Sequence, residues 1–265
     1  MELLKAWRDW KFNSPPFLLG DDGVLLSGPK PETRVAIHSS WESFIEMRDF
    51  GVPGDTRLHL GLIPVPFAGD LERAKVIVLL LNPGLEPDDY FGEFKVPGFR
   101  DRLVDNLRQD FNRTEYPFVY LDPAISWHSG YRWWHGKFQG VIVGLAKAWD
   151  VSYAEARRHL ARLLACVELV PYHSVSYGLS ARIRGGLRST QLAREYVHDV
   201  LQPRSDTGEV LIVVTRHCAE WGLAESAHVI TYSGSETRAA HLTPKSRGGQ
   251  RILDFARDLR PPSRK

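Results

Sequence analysis

Apolar residues run without a break through V-I-V-L-L-L (76–81) and stop at Asn82, Pro83 and Gly84. Six residues with three β-branched members suit a strand buried on both faces and are too few for a core helix. The same signature returns in A-C-V-E-L-V-P-Y-H-S (165–174), E-V-L-I-V-V-T-R-H (209–217) and H-V-I-T-Y-S (228–233). Between these runs the apolar positions switch to a helical pitch. Residues 98–111 put Leu103, Leu107 and Phe111 on one face. Helices are also expected over 140–150, 152–165, 189–202 and 218–223, and from Gln250 onward. Ser152 and Glu155 stand at the spacing of a capping box. An aromatic loop, YPFVYLDPAISWHSGYRWWHGKF (116–138), precedes the helix at 140.

Buried strands alternating with helices predict an α/β fold: three layers, α/β/α, around a central, mostly parallel four-stranded sheet. Residues 1–70 are rich in Pro and Gly and lack a continuous core pattern, with a short aromatic helix near 39–48 capped by Ser39 or Ser40. A single domain over 1–265 is expected, with 1–70 as an N-terminal wrapping extension. Ligands of such sheets lie beyond the carboxyl ends of the strands. Residues 82–84, 171–174, 215–217 and the segment after Ser233 are therefore expected to meet at one crevice.

Composition narrows the possibilities. The chain has 265 residues, 43% hydrophobic and 25% charged, as in ordinary globular proteins. No apolar run approaches bilayer length, and MELLKAWRDWKF carries charges inside its apolar patch, unlike a secretory signal. Cys166 and Cys218 stand without C-x-x-C partners, which excludes a cysteine-ligated metal centre and suits a reducing, cytoplasmic setting. The histidines show no H-x-x-x-H or H-x-E spacing, so neither a metal nor a cofactor is expected.

Net charge is only +2, so an anionic partner must be met by a local patch. RIRGGLRSTQLAR (182–194) holds Arg182, Arg184, Arg188 and Arg194 with no acid, and the tail from Lys245 is also dominated by cations. Each run is either a solvated face or, beside its Gly-Gly pair, a place where backbone and phosphate approach closely.

At this point the residues resemble the uracil-DNA glycosylase superfamily. Its first motif, an amide or acid followed by Pro at the end of the opening strand, corresponds to L-N-P-G (81–84), as in the mismatch-specific and single-strand-selective branches. Its second motif, H-x-S-P followed by a DNA-entering loop, corresponds to H-L-T-P-K-S-R (241–247). The likeness covers roughly residues 60–260. Departures are Leu80 where the family often has Gly, Leu242 and Thr243 in the second motif, no cluster cysteines, and Tyr172 and His173 where the uracil-specific branch reads the base with Asn.

The resemblance implies a monofunctional DNA glycosylase that flips a base and hydrolyses its N-glycosidic bond, leaving an abasic site. Asn82 would orient the water, and His241 would donate to the developing base anion. Pro83, Gly84, Tyr172 and His173 would surround the base, and Tyr90 or Phe91 would stack on it. Thr243, Lys245, Ser246 and Arg247, with Arg182, Arg184 and Arg188, would meet the DNA backbone. The departures point to a uracil-like or bulkier modified pyrimidine, including one in modified viral DNA.

The partner is then DNA, single- or double-stranded, and the protein a monomer. Asp88 and Asp89 are either alternative general bases or the cap of the next helix. In W-H-S-G-Y-R-W-W-H (127–135), substrate contact is expected of His128, Tyr131 and Arg132, and packing of Trp133 and Trp134. A catalytically silent, base-sensing protein of the same fold is the alternative. Everything requires Asn82 and His241 to face one another across a slot for one base.

Overall fold

The computed structural model describes residues 1–11, 14–26, 34–48 and 50–260. The chain divides into two compact units, Met1–Phe67, Leu81–Asp110 and Glu168–Val197 in the first and Ala68–Leu80, Phe111–Val167 and His198–Lys265 in the second.

The first unit pairs β1 (Val35–Ala36) in parallel with β2 (Leu58–His59). Leu58 and Leu60 bury against Val170, Tyr172, Ile183 and Leu187. Leu26, Leu58 and Leu60 thus share a core with residues of the last segment of their unit. A second cluster joins Phe44, Leu62, Leu85 and Tyr90. The helix Trp41–Ile45 starts at Ser40, whose Oγ accepts from Ser43 N at 3.0 Å. The helix Glu2–Arg8 packs on the helices Phe99–Arg108 and Arg188–Tyr196, burying Leu3, Leu4 and Trp7.

The second unit carries the main sheet. Its strands are β3 (Phe67–Ala68, opening at the boundary), β4 (Val76–Leu80), β5 (Leu164–Glu168), β6 (Leu211–Val214) and β7 (Val229–Thr231), in the order β3-β5-β4-β6-β7. β4 pairs with β6 and β6 with β7, both in parallel. The class is α/β as expected, but the sheet has five strands, not four. The added strand, β3, has two residues, too few to show any periodicity.

The largest departure is the helix Ser129–Trp149, which takes in the second half of the expected aromatic loop. Its buried side chains are Tyr131, Trp134, Phe138, Val141, Ile142, Leu145 and Trp149. That is one helical stripe begun by aromatic residues. Gly140 and Gly144 let it approach the C-terminal segment: a Cβ on Gly140 would lie 2.7 Å from Pro244 Cδ, and one on Gly144 would lie 2.9 Å from Leu253 Cδ1. The helix Tyr153–Leu163 follows, opened by the Ser152–Glu155 capping box. No helix of the described residues is long and apolar enough to cross a membrane.

Candidate active site

Strand β4 ends at Leu80, and Leu81 O accepts from Val170 N at 2.8 Å as the chain enters the first unit. The Asn82 side chain is held there by its nitrogen. Nδ2 lies 2.9 Å from Pro83 O, 2.9 Å from Ser174 Oγ and 3.3 Å from Tyr172 O. Acceptors around the NH₂ leave Oδ1 as the unengaged end of the amide among the described residues. Asn82 and Pro83 are half-buried and Gly84 is exposed, with open space where a Cβ would stand.

His173 closes the same turn from the neighbouring segment. Its Nδ1 donates to Gly84 O at 2.8 Å, and Nε2 is buried without a hydrogen-bond partner. Residues 82–84 and 171–174 therefore meet, as expected of strand ends. Thr215–His217 and His241–Arg247 belong to the second unit.

Two aromatic residues expected at the base are part of the core instead. Tyr172 is 1% exposed, and its hydroxyl donates to Asp22 Oδ2 at 2.6 Å and accepts from Leu19 N at 3.2 Å. Burial raises the Asp22 carboxyl despite these bonds and those from Ser189. Tyr90 has no exposed surface. Its ring stacks on Phe44 at 4.1 Å and near-parallel to Phe94 at 6.1 Å, and its hydroxyl meets His59 Nδ1 at 3.2 Å. Phe91, 42% exposed and edge-on to Trp41, keeps a face toward solvent.

Beneath the turn lie two titratable groups that residue type alone did not reveal. Desolvation lowers His59 to about 4, with Asp55 opposing and His38, Arg57 and His173 adding to the fall. Glu93 is pushed up to about 8 by burial, against the pull of Arg100. Its Oε1 accepts from Ile63 N at 2.9 Å, while Oε2 has no hydrogen-bond partner. The one sequence signal for Glu93 is its place three residues after Tyr90 on the helix Pro87–Lys95. Asp89 caps that helix, accepting from Glu86 N at 2.8 Å; the other expected base, Asp88, is half-buried in its first turn.

In the second unit the loop 241–247 is fixed through its backbone. The Tyr232 hydroxyl donates to His241 O, and Ser246 N and Oγ both donate to Thr243 O at 2.8 Å. Ser246 also caps the helix Arg247–Arg257, accepting from Gly249 N at 3.2 Å, so its hydroxyl is not free for phosphate. Gly248 and Gly249 are buried: a Cβ on Gly249 would lie 2.0 Å from Thr243 O, so the pair serves packing, not phosphate approach. Arg247 is gripped by Glu225, Glu236 and the Thr231 carbonyl, which cancels its charge. His241 and Lys245 are exposed, and neither side chain has a partner among the described residues.

The arginine run is likewise only partly a surface. Arg184 is 5% exposed and donates to Tyr177 Oη at 3.1 Å and Leu179 O at 3.3 Å. Arg188 pairs with Glu195 at 2.8 Å, and Arg182 is exposed. In the aromatic cluster, buried His128 caps the long helix by accepting from Gly130 N, and buried Tyr131 stacks on His135. Arg132 is exposed and donates to Trp127 O. Trp133, expected to pack, is 40% exposed, while Trp134 is buried.

No family model, curated protein or solved structure matches this chain.

Proposed function

We propose that the protein is a DNA glycosylase of the uracil-DNA glycosylase kind, acting on a flipped uracil-like or modified pyrimidine, including one in modified viral DNA. The reading carries with it the three-layer arrangement around a mostly parallel sheet, and a monomer working in the cytoplasm. The observation that supports it best is the Asn82 amide, tied down at nitrogen with its oxygen unengaged.

In the reaction the bond between the sugar anomeric carbon and the base nitrogen breaks, and the base leaves with the electron pair. Water then bonds to that carbon and gives up a proton, which the departed base anion takes up. Asn82 Oδ1 accepts a hydrogen bond from this water and orients it. An amide suffices because the leaving group departs largely before attack, so no full proton need be taken by the protein. His173 holds the Gly84 carbonyl and so keeps the turn in place. His241, exposed and unpartnered, is the donor to the base anion, an interaction strongest in the transition state. Phe91 supplies an exposed aromatic face and Lys245 an exposed charge.

A labelled oligonucleotide carrying a modified base, incubated with the protein and then treated with alkali, tests the proposal. Strand breaks with wild type and none with Asn82→Ala support it. Tight binding without breaks in any of a panel of modified bases supports the base-sensing alternative.

A further inference from the structure

Two imidazole rings in the first unit have each engaged only one of their nitrogens. His59 and His173 face one another across an isolated antiparallel bridge, where His59 N donates to His173 O at 2.9 Å. Opposed residues of such a pair carry their side chains on the same side, with Cβ atoms about 5 Å apart. Each ring is anchored through Nδ1, that of His173 to Gly84 O at 2.8 Å and that of His59 to the Tyr90 hydroxyl at 3.2 Å. His38 stacks on His59 at 6.2 Å and Phe50 meets it edge-on at 6.3 Å, which fixes the plane of that ring. Both Nε2 atoms are left over, buried and without a hydrogen-bond partner, on residues 1% and 4% exposed.

One such nitrogen is within the ordinary run of buried imperfections. Two on facing residues, each on a ring locked at its other nitrogen, are pre-set for a ligand with two polar groups. Desolvation above all lowers His59 to about 4, so at neutral pH its Nε2 meets a ligand without a buried charge. No His, Cys, Asp or Glu completes a metal-ligand group with the two rings among the described residues. A pyrimidine, by contrast, carries adjacent hydrogen-bonding groups along its pairing edge, and a flipped base is read along that edge. The pair also lies beside the Asn82 turn. His173 holds Gly84, while its chain neighbours Tyr172 and Ser174 accept from the Asn82 amide.

We infer that His59 and His173 together read the pairing edge of the flipped pyrimidine through their two Nε2 atoms. This deepens the glycosylase reading and rests on its flipped base. It adds His59, which no motif marks, and leaves Tyr172, engaged by Asp22, outside the base contact. A pyrimidine methylated at ring nitrogen N3 is then a poor ligand, because the methyl group blocks the edge. Substituents at C5 lie off that edge and are not read by the pair.

Nuclear magnetic resonance of the full-length protein, with nitrogen-15 in its histidine rings, tests the pair. The probes are oligonucleotides, in single strand and in duplex, carrying one 2′-deoxyuridine, 5-hydroxymethyl-2′-deoxyuridine, N3-methyl-2′-deoxyuridine or tetrahydrofuran abasic analogue. A 2′-fluorine on each nucleoside destabilises the cationic sugar and keeps the base attached. The Nε2 resonances of His59 and His173 both move with the two unblocked bases, and stay in place with the N3-methyl base and the abasic analogue. In fluorescence anisotropy His59→Phe and His173→Phe each lose about tenfold in affinity for strands with an unblocked base, and bind the abasic strand as wild type does. The resonances are read on wild-type protein, so they decide even if neither variant folds.

Resonances unmoved by both unblocked bases, movement of one ring alone, or an equal response to the N3-methyl base each overturn the inference. Excision of a fluorine-free base by a protein with unmoved resonances refutes only the histidine pair. Movement of both resonances in a protein that excises no fluorine-free base refutes only the glycosylase.

Discussion

The Asn82 turn and the His241 loop both place Pro within three residues of the side chain assigned a role, yet they are built in opposite ways. At Asn82 the side chain is held by surrounding acceptors and the carbonyl of Gly84 is held by His173. At His241 the backbone is held, by Tyr232 and by the Ser246 cap, while the imidazole and the Lys245 ammonium stand in solvent. Partial burial obliges a polar atom to find a partner, so the first turn has one side-chain geometry before any ligand arrives. Water satisfies the exposed groups of the second, which are free to adjust to a ligand. A pre-set amide and an adaptable imidazole suit the proposed roles: orienting water needs a fixed oxygen, and following a departing base needs reach.

The contrast can be broken most forcefully at Tyr90, on which the first turn's surroundings stack. Tyr90→Ala removes a ring with no exposed surface and should cost about 3–5 kcal/mol in urea unfolding. A loss below 1 kcal/mol, by the scale of surface changes, would show that this region is not tightly packed.

Acid should act on the same region. His59 titrates near 4 when folded, below the ordinary histidine value of 6.5, so the unfolded chain binds the proton first. Its contribution is present above pH 6.5 and lost as pH falls toward 4, on the order of 3 kcal/mol in all. Glu93 works in the other direction: raised to about 8, it weakens the fold as pH rises from 4.5 through 8. His59→Gln should flatten the acid limb of urea midpoint against pH and leave the alkaline limb alone.

Smaller effects sharpen the comparison further. Asn82→Ala strips a donor from Ser174 Oγ and Tyr172 O and should cost about 1–2 kcal/mol, against no more than about 0.5 for His241→Ala. Equal costs would erase the distinction between the two loops. Arg247→Ala breaks only exposed pairs and should change stability by less than about 1 kcal/mol. It should also leave the salt dependence of oligonucleotide binding as it is in wild type.

How much of this was legible beforehand follows from what residue type encodes. Strands β4, β6 and β7 and the helix Tyr153–Leu163 stand where apolar runs and capping spacing put them. The helix Ser129–Trp149 was hidden because His, Tyr and Trp occupy its first turns, and aromatic residues suggest a platform before they suggest a pitch. Side-chain engagement was not legible at all. Arg184, Arg188 and Arg247 look alike as letters, and only the folded chain supplies Tyr177, Glu195, Glu225 and Glu236 to occupy them. The meeting of Asn82 with Ser174 could be anticipated from strand ends. The enclosure of Tyr172 around Asp22 joins residues 150 apart and could not.

The close seat of Pro244 on Gly140 gives the His241 loop a remote adjusting screw. One methyl group added at 140 acts as a wedge against Pro244, at a position where the long helix has no side chain of its own to yield. The geometry of the loop thus has a lever outside the loop itself, and under the proposed glycosylase reading variation at 140 alters excision although no reacting atom has been touched.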